Sequence, residues 1–434
     1  MPLRASRSTH SWLFRKGVTT RAISALAAIL LLAVSSVISL TLQAGAQSEM
    51  PEQVIYSFAG AAGCFSPLAP LVADGRGDLY GTTSGGSQSY PGCVFELSPN
   101  GDGTWSEKTI HFFDVNDGYQ PVAALVFDSA GNLYGTTGSG GLYGGGVVFE
   151  LTPVTGGEWA DSVLYNFGRS GDGVNAATEV VFGPDGNLYG ATEFGGSGGC
   201  GIVYRLNPGL IGWPWEVTVI HDFANSSQDG CNPRGGVVFG SRGRLYGTTS
   251  GGGAQDLGTV YELTRSKDGS YQEDVIHNFS GADGSQPLST LTMDEDGNLY
   301  GTTFTGGNLT ACLGGCGTVF KLTKSDGKWL ERVLHAFSGG DGENIAGSVV
   351  LDGAGNLCTT AASGGGTGFN GLILRLTPEA DGTWKETILH RFAWPSAGDG
   401  AAPYAGVILR EGELFGTTLV GGASNVGAVV SISH

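Results

Sequence analysis

The chain has 434 residues, of which 77 are glycine and 16 are proline, and only 14% of its residues are charged. Its 40% hydrophobic content can fill a sizeable core, whereas so little charge excludes a coiled coil or a charge-rich disordered chain. The 40 acidic residues outnumber the 22 basic ones, and such a surface repels nucleic acid and anionic lipid. We therefore expect no nucleic-acid partner, and the composition favours short strands joined by tight turns.

The first 46 residues have the layout of an export signal. Basic residues precede an uncharged stretch over 22–48, and small residues end it at Ala46. This order predicts a secretory signal peptide over 1–46 that is cleaved after Ala46. The alternative is an uncleaved anchor through 22–42, because about 20 apolar residues can span a bilayer. The protein is expected in the periplasm or outside the cell, and no later stretch is long enough to span a membrane.

One short sequence recurs seven times along the rest of the chain. It reads DLYGTT at its first occurrence, and its copies begin 54 to 58 residues apart. The copies lie at 78–83, 132–137, 187–192, 244–249, 298–303, 356–361 and 413–418. An apolar run such as LVFD precedes each copy, and most copies are followed by runs such as VFEL and VIHNF. Four strands per unit without helical periodicity predict an all-β chain, and seven such units predict a seven-bladed β-propeller.

The two ends of the repeat array complement each other. Residues 54–58 form a fourth strand with no first three before it, and the last unit stops after its third strand. The N-terminal strand should therefore complete the last blade and leave no open sheet edge. The prediction is one propeller domain over 47–434, expected to be a monomer. A β-solenoid is the alternative, but it leaves both incomplete ends unexplained.

The combination of GNLYGTT, VFEL and VIHxF elements resembles the repeat of the GloVer-type choice-of-anchor tandem-repeat proteins. The resemblance covers essentially all of residues 52–433. It implies an exported bacterial protein whose role is poorly defined. Members of that family often end in a sorting or anchoring segment, whereas this chain ends in AVVSISH.

Most histidines and tryptophans occupy fixed positions in the repeat. One position of the fourth strand is filled by His111, His221, His277, His335 and His390, and by Tyr56 and Tyr165 in the other copies. The position six residues earlier is filled by Trp105, Trp159, Trp215, Trp329 and Trp384. Fourth strands are outermost in a propeller, so these histidines should be too far apart to share a metal. Packing is therefore favoured over a metal site or a sugar platform, and no metal ligand is predicted.

An Asp-Gly pair follows the fourth strand in six of the seven copies. The aspartates are Asp117, Asp172, Asp229, Asp283, Asp341 and Asp399. Their loops lead into the inner strands, so the carboxylates are candidates for a ligand-binding ring around the mouth of the central channel. No cofactor is predicted, although calcium would suit clustered carboxylates. The alternative is an aspartate that caps its own turn before glycine.

A residue with a unique role should interrupt the repeat pattern. Glu193 does so, because it follows the two threonine positions where other copies carry residues such as Ser, Gly, Phe or Leu. It is a candidate ligand-binding residue, and the alternative is a solvated side chain. No catalytic residue is assigned, because no GxSxG, HExxH or EF-hand spacing is present. The glycine-rich loops also lack the Lys-Ser/Thr of a phosphate-binding loop.

Cysteine usage agrees with export. Loop positions predict the disulfides Cys64–Cys93, Cys200–Cys231 and Cys312–Cys316. Cys358 replaces the tyrosine of the repeat and should be a buried thiol outside any disulfide.

Uniform repeats without a catalytic motif favour an exported, non-catalytic propeller that binds a glycan or a protein through its loop-rich face. One alternative is a cation-dependent propeller hydrolase or lyase that acts on a lactone, an ester or a sugar acid. It would require off-pattern carboxylates that converge on the propeller axis. A structural envelope component is the other alternative.

Overall fold

The computed structural model describes residues 52–60, 63–86, 91–209, 214–224, 226–393 and 398–433. They form seven four-stranded antiparallel sheets, and segments from all seven sheets line one central channel. The protein is therefore a seven-bladed β-propeller, as predicted. The predicted signal peptide lies outside the described residues. No helix in the described ranges is long and apolar enough to cross a membrane.

Blades are numbered one to seven along the chain, and the strands of each blade are numbered first to fourth from the channel outwards. Blade one comprises Val72–Ala73, Leu79–Thr83, Cys93–Pro99 and Trp105–Phe112. Blade two comprises Val126–Phe127, Leu133–Thr136, Val147–Pro153 and Trp159–Asn166. Blade three comprises Val181–Phe182, Leu188–Thr192, Ile202–Asn207 and Glu216–Asp222. Blade four comprises Val238–Phe239, Leu245–Thr249, Thr259–Arg265 and Tyr271–Asn278. Blade five comprises Thr292–Met293, Leu299–Thr303, Thr318–Ser325 and Lys328–Ala336. Blade six comprises Val350–Leu351, Leu357–Ala361, Phe369–Pro378 and Trp384–Ala393. Blade seven comprises Ile408–Arg410, Glu413–Thr418, Ala428–Ser433 and Glu52–Ser57.

Short strand pairs join the loops on one face of the ring. The pairs are Gly173–Val174 with Phe194–Gly195, Gly230–Cys231 with Gly251–Gly252, and Gly400–Ala401 with Val420–Gly421. Each pair connects an Asp-Gly loop to the loop after the second strand of the following blade. A single 3₁₀ turn among the described residues, Ser241–Gly243, lies between the first two strands of blade four.

The N-terminal strand closes the ring. Glu52–Ser57 pairs antiparallel with Ala428–Ser433, so blade seven contains both ends of the repeat array. The closure predicted from residues 54–58 is confirmed, and the strand begins and ends slightly earlier than predicted.

In blades one to five, the glycine of the LYGTT copy makes room for an aromatic side chain of the third strand. A Cβ atom on Gly301 would lie 2.5 Å from Cζ of Phe320, the residue directly opposite in the register. In blade six, Thr359 replaces the glycine and Leu374 replaces the aromatic residue. In these six blades the two positions vary together in size, as close packing requires, whereas blade seven pairs Gly416 with Val430.

The contact between adjacent blades, here called a seam, is built from repeated aromatic residues. The last phenylalanine of the VIHxF element is at most 1% exposed in every copy: Phe58, Phe113, Phe167, Phe223, Phe279, Phe337 and Phe392. The repeated tryptophan packs on the blade before its own, as when Trp329 meets Tyr246 edge-to-face with ring centroids 5.7 Å apart. These residues bury apolar surface at the seams, and for the tryptophans this is the packing role that their repetition predicted.

Seams are also joined beside the channel by the first threonine of the TT pair. Thr248 Oγ1 donates to the carbonyl oxygen of Ser289 in the next blade at 3.2 Å. Ala191 takes this position in blade three, so a side-chain hydroxyl cannot make the bond there. The Cys200–Cys231 disulfide instead connects a loop of blade three to the segment that enters blade four.

The structure contains the three predicted disulfides, Cys64–Cys93, Cys200–Cys231 and Cys312–Cys316. Cys358 forms no disulfide and its side chain is buried.

Candidate functional site

The Asp-Gly aspartates turn towards the fourth strands instead of the channel. Five of them lie 3.0–3.3 Å from Nε2 of the repeated histidine of the same blade. The sixth, Asp172, accepts a hydrogen bond from the Tyr165 hydroxyl at 2.9 Å. None of the six lines the channel cavities. The sequence had led us to expect these carboxylates around the channel mouth. They do not converge there.

The reason is visible in the loop of Asp229. Its Oδ2 accepts the backbone N–H of Ala224 at 2.8 Å, and its Oδ1 faces His221. Burial alone would raise the pKa of Asp229, but the hydrogen bonds from His221 and Ala224 bring it below its ordinary value. The aspartate thus caps its own loop and joins that loop to the fourth strand.

At five seams, a carboxylate from the next blade joins the histidine–aspartate pair. These seam clusters are His111–Asp117–Asp161, His221–Asp229–Glu273, His277–Asp283–Glu331, His335–Asp341–Glu386 and His390–Asp399–Glu52. Within each cluster, one ligand atom from every residue lies within 4.8 Å of the others. Burial raises the pKa of Glu273, Glu331 and Glu386 to about 7 and that of Glu52 to about 8. Sequence reasoning missed the glutamates, although each stands two residues after the tryptophan position of its repeat.

The central channel is lined by the segments that precede the first strands. Its mouth is a cavity of about 510 Å³ to which all seven blades contribute. A narrower part of the channel has a volume of about 110 Å³. Three residues before the apolar run, five blades carry small or apolar residues: Leu68, Val122, Ala177, Leu288 and Ala346. Arg234 and Tyr404 fill the same position in blades four and seven, and both line the mouth.

Glu193 lies in the wall of this cavity and is 7% exposed. Arg234 contacts its Oε1 through Nη2 at 2.5 Å and through Nε at 2.7 Å. Asn175 Nδ2 donates to its Oε2 at 2.8 Å. The Arg234 side chain is 49% exposed. Glu193 is therefore not a solvated side chain. Its carboxylate instead positions the guanidinium group of Arg234 at the channel mouth.

A second off-pattern carboxyl, Glu179, lies in the narrower part of the channel. Burial raises its pKa above the ordinary value, and the hydrogen bond with the Thr290 hydroxyl offsets part of that rise. Gly236 leaves the space that this side chain occupies, since a Cβ atom there would lie 2.4 Å from Glu179 Cγ. The signal that could have found Glu179, Arg234 and Tyr404 is the same one that singled out Glu193, a break in the repeat.

The channel combines polar groups with little net charge. The Glu193–Arg234 ion pair cancels itself, and burial favours the neutral form of Glu179. Tyr404 adds an aromatic ring that is 38% exposed. None of the groups of three metal-ligating side chains found in the described ranges lies in the channel. The site presents hydrogen-bonding groups and an aromatic surface at the mouth of the channel.

Solved structures align with this chain at low sequence identity. An ancestral GH74 enzyme aligns with a TM-score of 0.55 and 12% identity, covering 89% of this chain and 51% of that enzyme. A Lactobacillus plantarum protein aligns with a TM-score of 0.47 and 15% identity, covering 75% of this chain and 84% of that protein. A putative glucose dehydrogenase of Thermus thermophilus aligns with a TM-score of 0.43 and 17% identity, covering 78% of this chain and 99% of that protein. At such identities the likeness concerns the fold alone.

No curated protein sequence matches the chain. The profile of the Gloeobacter/Verrucomicrobia repeat matches residues 35–214 and 212–430. Those two matches span nearly all of the seven repeat units and agree with the resemblance noted in the GNLYGTT unit. The chain belongs to the Gloeobacter/Verrucomicrobia repeat family.

Proposed function

We propose that this protein is an exported, non-catalytic binding propeller that holds part of a neutral glycan in the mouth of its central channel. The observation that carries the proposal is the convergence of off-pattern residues in one place. Glu193, Arg234 and Tyr404 come from three different blades, and all three line the cavity of about 510 Å³. Ligand pockets commonly have volumes of about 300–1,000 Å³.

The chemistry of the mouth favours a neutral, hydroxyl-rich ligand. Arg234 presents N–H donors whose charge is already balanced by Glu193, so a charged ligand is not required. Gln120 and Asn175 contribute amide groups to the same cavity. The half-buried ring of Tyr404 offers an apolar face of the kind on which a sugar ring can stack.

Export is supported by the three disulfides, because disulfides persist in oxidising compartments. The acidic surface, with a formal net charge of −18, adds solubility. The signal-peptide layout of residues 1–46 completes this part of the proposal.

A cation-dependent hydrolase or lyase is the second candidate function. The observation in its favour is that two off-pattern carboxylates, Glu179 and Glu193, line the channel as that mechanism requires. Arg234 already neutralises Glu193, however, which leaves Glu179 as the off-pattern carboxylate for a cation. A single carboxylate holds a divalent cation weakly, so binding is the better-supported function.

The test is a glycan-array screen of the purified protein, followed by calorimetric titration of the strongest neutral oligosaccharide. Arg234→Ala and Tyr404→Ala should each lower the affinity at least tenfold. Tyr404→Ala should leave the thermal midpoint unchanged, whereas Arg234→Ala should lower it slightly because it removes the counter-charge of the buried Glu193. Arg169→Ala and Tyr143→Ala are matched controls, because this arginine–tyrosine pair stacks at 4.6 Å on loops outside the channel. The controls should bind like the unmodified protein.

Two results would contradict the proposal. The first is a screen in which no neutral glycan binds, and the second is equal loss of affinity in channel and control variants. Release of a product from the bound sugar, abolished by Glu179→Gln, would establish the hydrolase instead.

A further inference from the structure

The seam cluster at the ring closure has the geometry of a metal site. His390 Nε2 lies 3.3 Å from Asp399 Oδ1 and 3.6 Å from Glu52 Oε2. The three side chains are between 8% and 14% exposed. Ligand atoms that surround Zn²⁺ tetrahedrally at about 2.0–2.1 Å lie about 3.3 Å from one another. The two separations from His390 Nε2 are close to this value, and the carboxylate oxygens of Glu52 and Asp399 lie within 4.8 Å of each other.

Hydrogen bonding leaves one oxygen of this cluster unsatisfied, although the Glu52 carboxyl also hydrogen-bonds with Asp399 and with the backbone N–H of Gly400. One ring nitrogen faces two carboxylates, and a nitrogen carries at most one proton. The side chain of Glu52 is more than nine-tenths buried, and its Oε1 has no hydrogen-bond partner. An oxygen in that position needs a proton, a donor or a cation, because a buried unpaired carboxylate is costly.

The same unsatisfied oxygen recurs in the other clusters that contain a glutamate. Oε1 of Glu273, of Glu331 and of Glu386 is buried without a hydrogen-bond partner. In each case the histidine and the aspartate belong to one blade and the glutamate belongs to the next. The arrangement is thus a property of the seam and is built four times.

The two remaining seams show which residues occur together. Tyr165 replaces the histidine where Val217 stands in place of the second carboxylate. Tyr56 replaces it where Gly63 stands in place of the aspartate. Histidine is therefore present only at the five seams where both carboxylates are present. Packing alone does not require this association, since tyrosine occupies the same repeat position at the other two seams.

We propose that the four seam clusters with a glutamate bind divalent transition-metal ions, for which Zn²⁺ is the best probe. The ligands are the histidine Nε2 and one oxygen from each carboxylate, and water completes the coordination. A nitrogen donor with two carboxylates suits Zn²⁺ or Mn²⁺, whereas Ca²⁺ prefers oxygen ligands alone.

The consequence is a clamp between neighbouring blades. An ion at the Glu52 cluster would join the N-terminal strand of blade seven to the fourth strand of blade six, in addition to the pairing with Ala428–Ser433. An ion that binds only the folded chain must raise its stability. The sites lie on the outer strands and are independent of the glycan site in the channel.

The experiment uses the full chain, stripped with a chelator and dialysed against Zn²⁺, Mn²⁺ or Ca²⁺. Bound metal is counted by mass spectrometry, and the thermal midpoint is measured for each form. Co²⁺ replaces Zn²⁺ in a parallel sample, where visible absorption reports four-coordinate nitrogen and oxygen ligation. We expect four bound Zn²⁺ ions per chain and a higher thermal midpoint, with little effect from Ca²⁺.

Two variants remove the Glu52 site in different ways. Glu52→Gln removes a carboxylate, and His390→Tyr introduces the residue that the repeat itself uses at this position. Each should bind one Zn²⁺ ion fewer than the unmodified chain. Glu107→Gln is the matched control, because Glu107 occupies the same repeat position but meets the Tyr56 hydroxyl at 3.3 Å. It should bind as many ions as the unmodified chain.

The proposal is overturned if the chain retains no Zn²⁺ after dialysis. It is equally overturned if Glu52→Gln and His390→Tyr both fold and keep the full number of ions. Binding of Ca²⁺ in preference to Zn²⁺ would show that the histidine nitrogen is not a ligand. Should one variant fail to fold, the other and Glu331→Gln give the same count.

Discussion

The outer seams and the channel mouth of this propeller follow opposite rules. At the seams, one residue type recurs from blade to blade, as with the seven buried phenylalanines and the five histidine–aspartate pairs. At the mouth, one position carries five apolar residues together with Arg234 and Tyr404. Seven equivalent blades must pack in the same way, whereas a ligand in the channel meets each blade at a different point. Recurrence therefore indicates stability, and under the proposed function interruption marks recognition.

The seam between blades three and four belongs to both regions. It lacks the threonine hydrogen bond because blade three carries Ala191, and it contains Glu193 and Arg234 near the channel. The Cys200–Cys231 disulfide crosses the same seam, and Asn232 next to it donates to the Glu193 carbonyl oxygen at 3.1 Å. A covalent link thus holds the off-pattern site in the place where the repeated bond is missing.

The largest effect is expected where a recurring seam residue is removed. Phe279 is 1% exposed and packs on Phe320 with ring centroids 5.2 Å apart. Phe279→Ala should lower the free energy of unfolding by about 3–5 kcal/mol because it leaves a cavity. Chemical denaturation measures this change. Leu330→Ala, at a side chain that is 59% exposed, is the control and should change it by less than about 0.5 kcal/mol. Equal effects would show that the seams do not carry the stability.

The next effect concerns the disulfides. Their residues are 31 positions apart in Cys200–Cys231 and 4 apart in Cys312–Cys316. Loop-closure entropy gives about 4 kcal/mol for the longer separation and about 2 kcal/mol for the shorter one. Replacing both cysteines of a pair by serine should therefore lower the denaturation midpoint more for Cys200–Cys231. The reverse order would mean that the seam is held together without its covalent link.

A smaller effect tests the complementarity of the second and third strands. Gly301→Ala should destabilise the protein by about 1–3 kcal/mol, because the new Cβ atom meets Phe320. The double variant with Phe320→Leu should lose less than the sum of the two single losses, because blade six already pairs Thr359 with Leu374. A double-mutant cycle by denaturant unfolding measures the coupling. If the stability losses of the two single variants were additive, the sizes of the residues at positions 301 and 320 would not be coupled.

Much of the fold could be predicted from the sequence because each blade is formed largely by one contiguous repeat unit. Each LYGTT copy marks the same strand, and the last unit, which stops after residues 428–432, lacks the fourth strand that residues 54–58 supply. The disulfides could be predicted for the same reason, since equivalent loops of a propeller lie on one face. The direction of the Asp-Gly side chains could not, because sequence does not say whether a loop carboxylate turns inwards or outwards.

The channel site was harder to predict because its residues are distant in the chain. Glu193 was found by its interruption of the repeat, but Arg234 and Tyr404 interrupt a less regular position. Their meeting depends on the ring closing, which brings blades three, four and seven to one axis. The seam glutamates illustrate the same difficulty, since Glu273 lies 44 residues from Asp229 in the chain and within 4.8 Å of it in space.

The smallest effect on stability is expected for the residue that is most informative about recognition. Glu193→Gln keeps the shape of the side chain and removes its charge, while Arg234 is exposed enough for water to replace the lost ion pair. The free energy of unfolding should fall by less than about 1 kcal/mol, as for other pairs with one solvated partner. Arg234 would no longer be held in one orientation, so the affinity for the glycan should fall several-fold. Glu216→Gln, on the exposed start of a fourth strand, should change neither quantity. A loss of stability as large as that of Phe279→Ala, with unchanged affinity, would place Glu193 among the structural residues and remove the distinction between channel and seam.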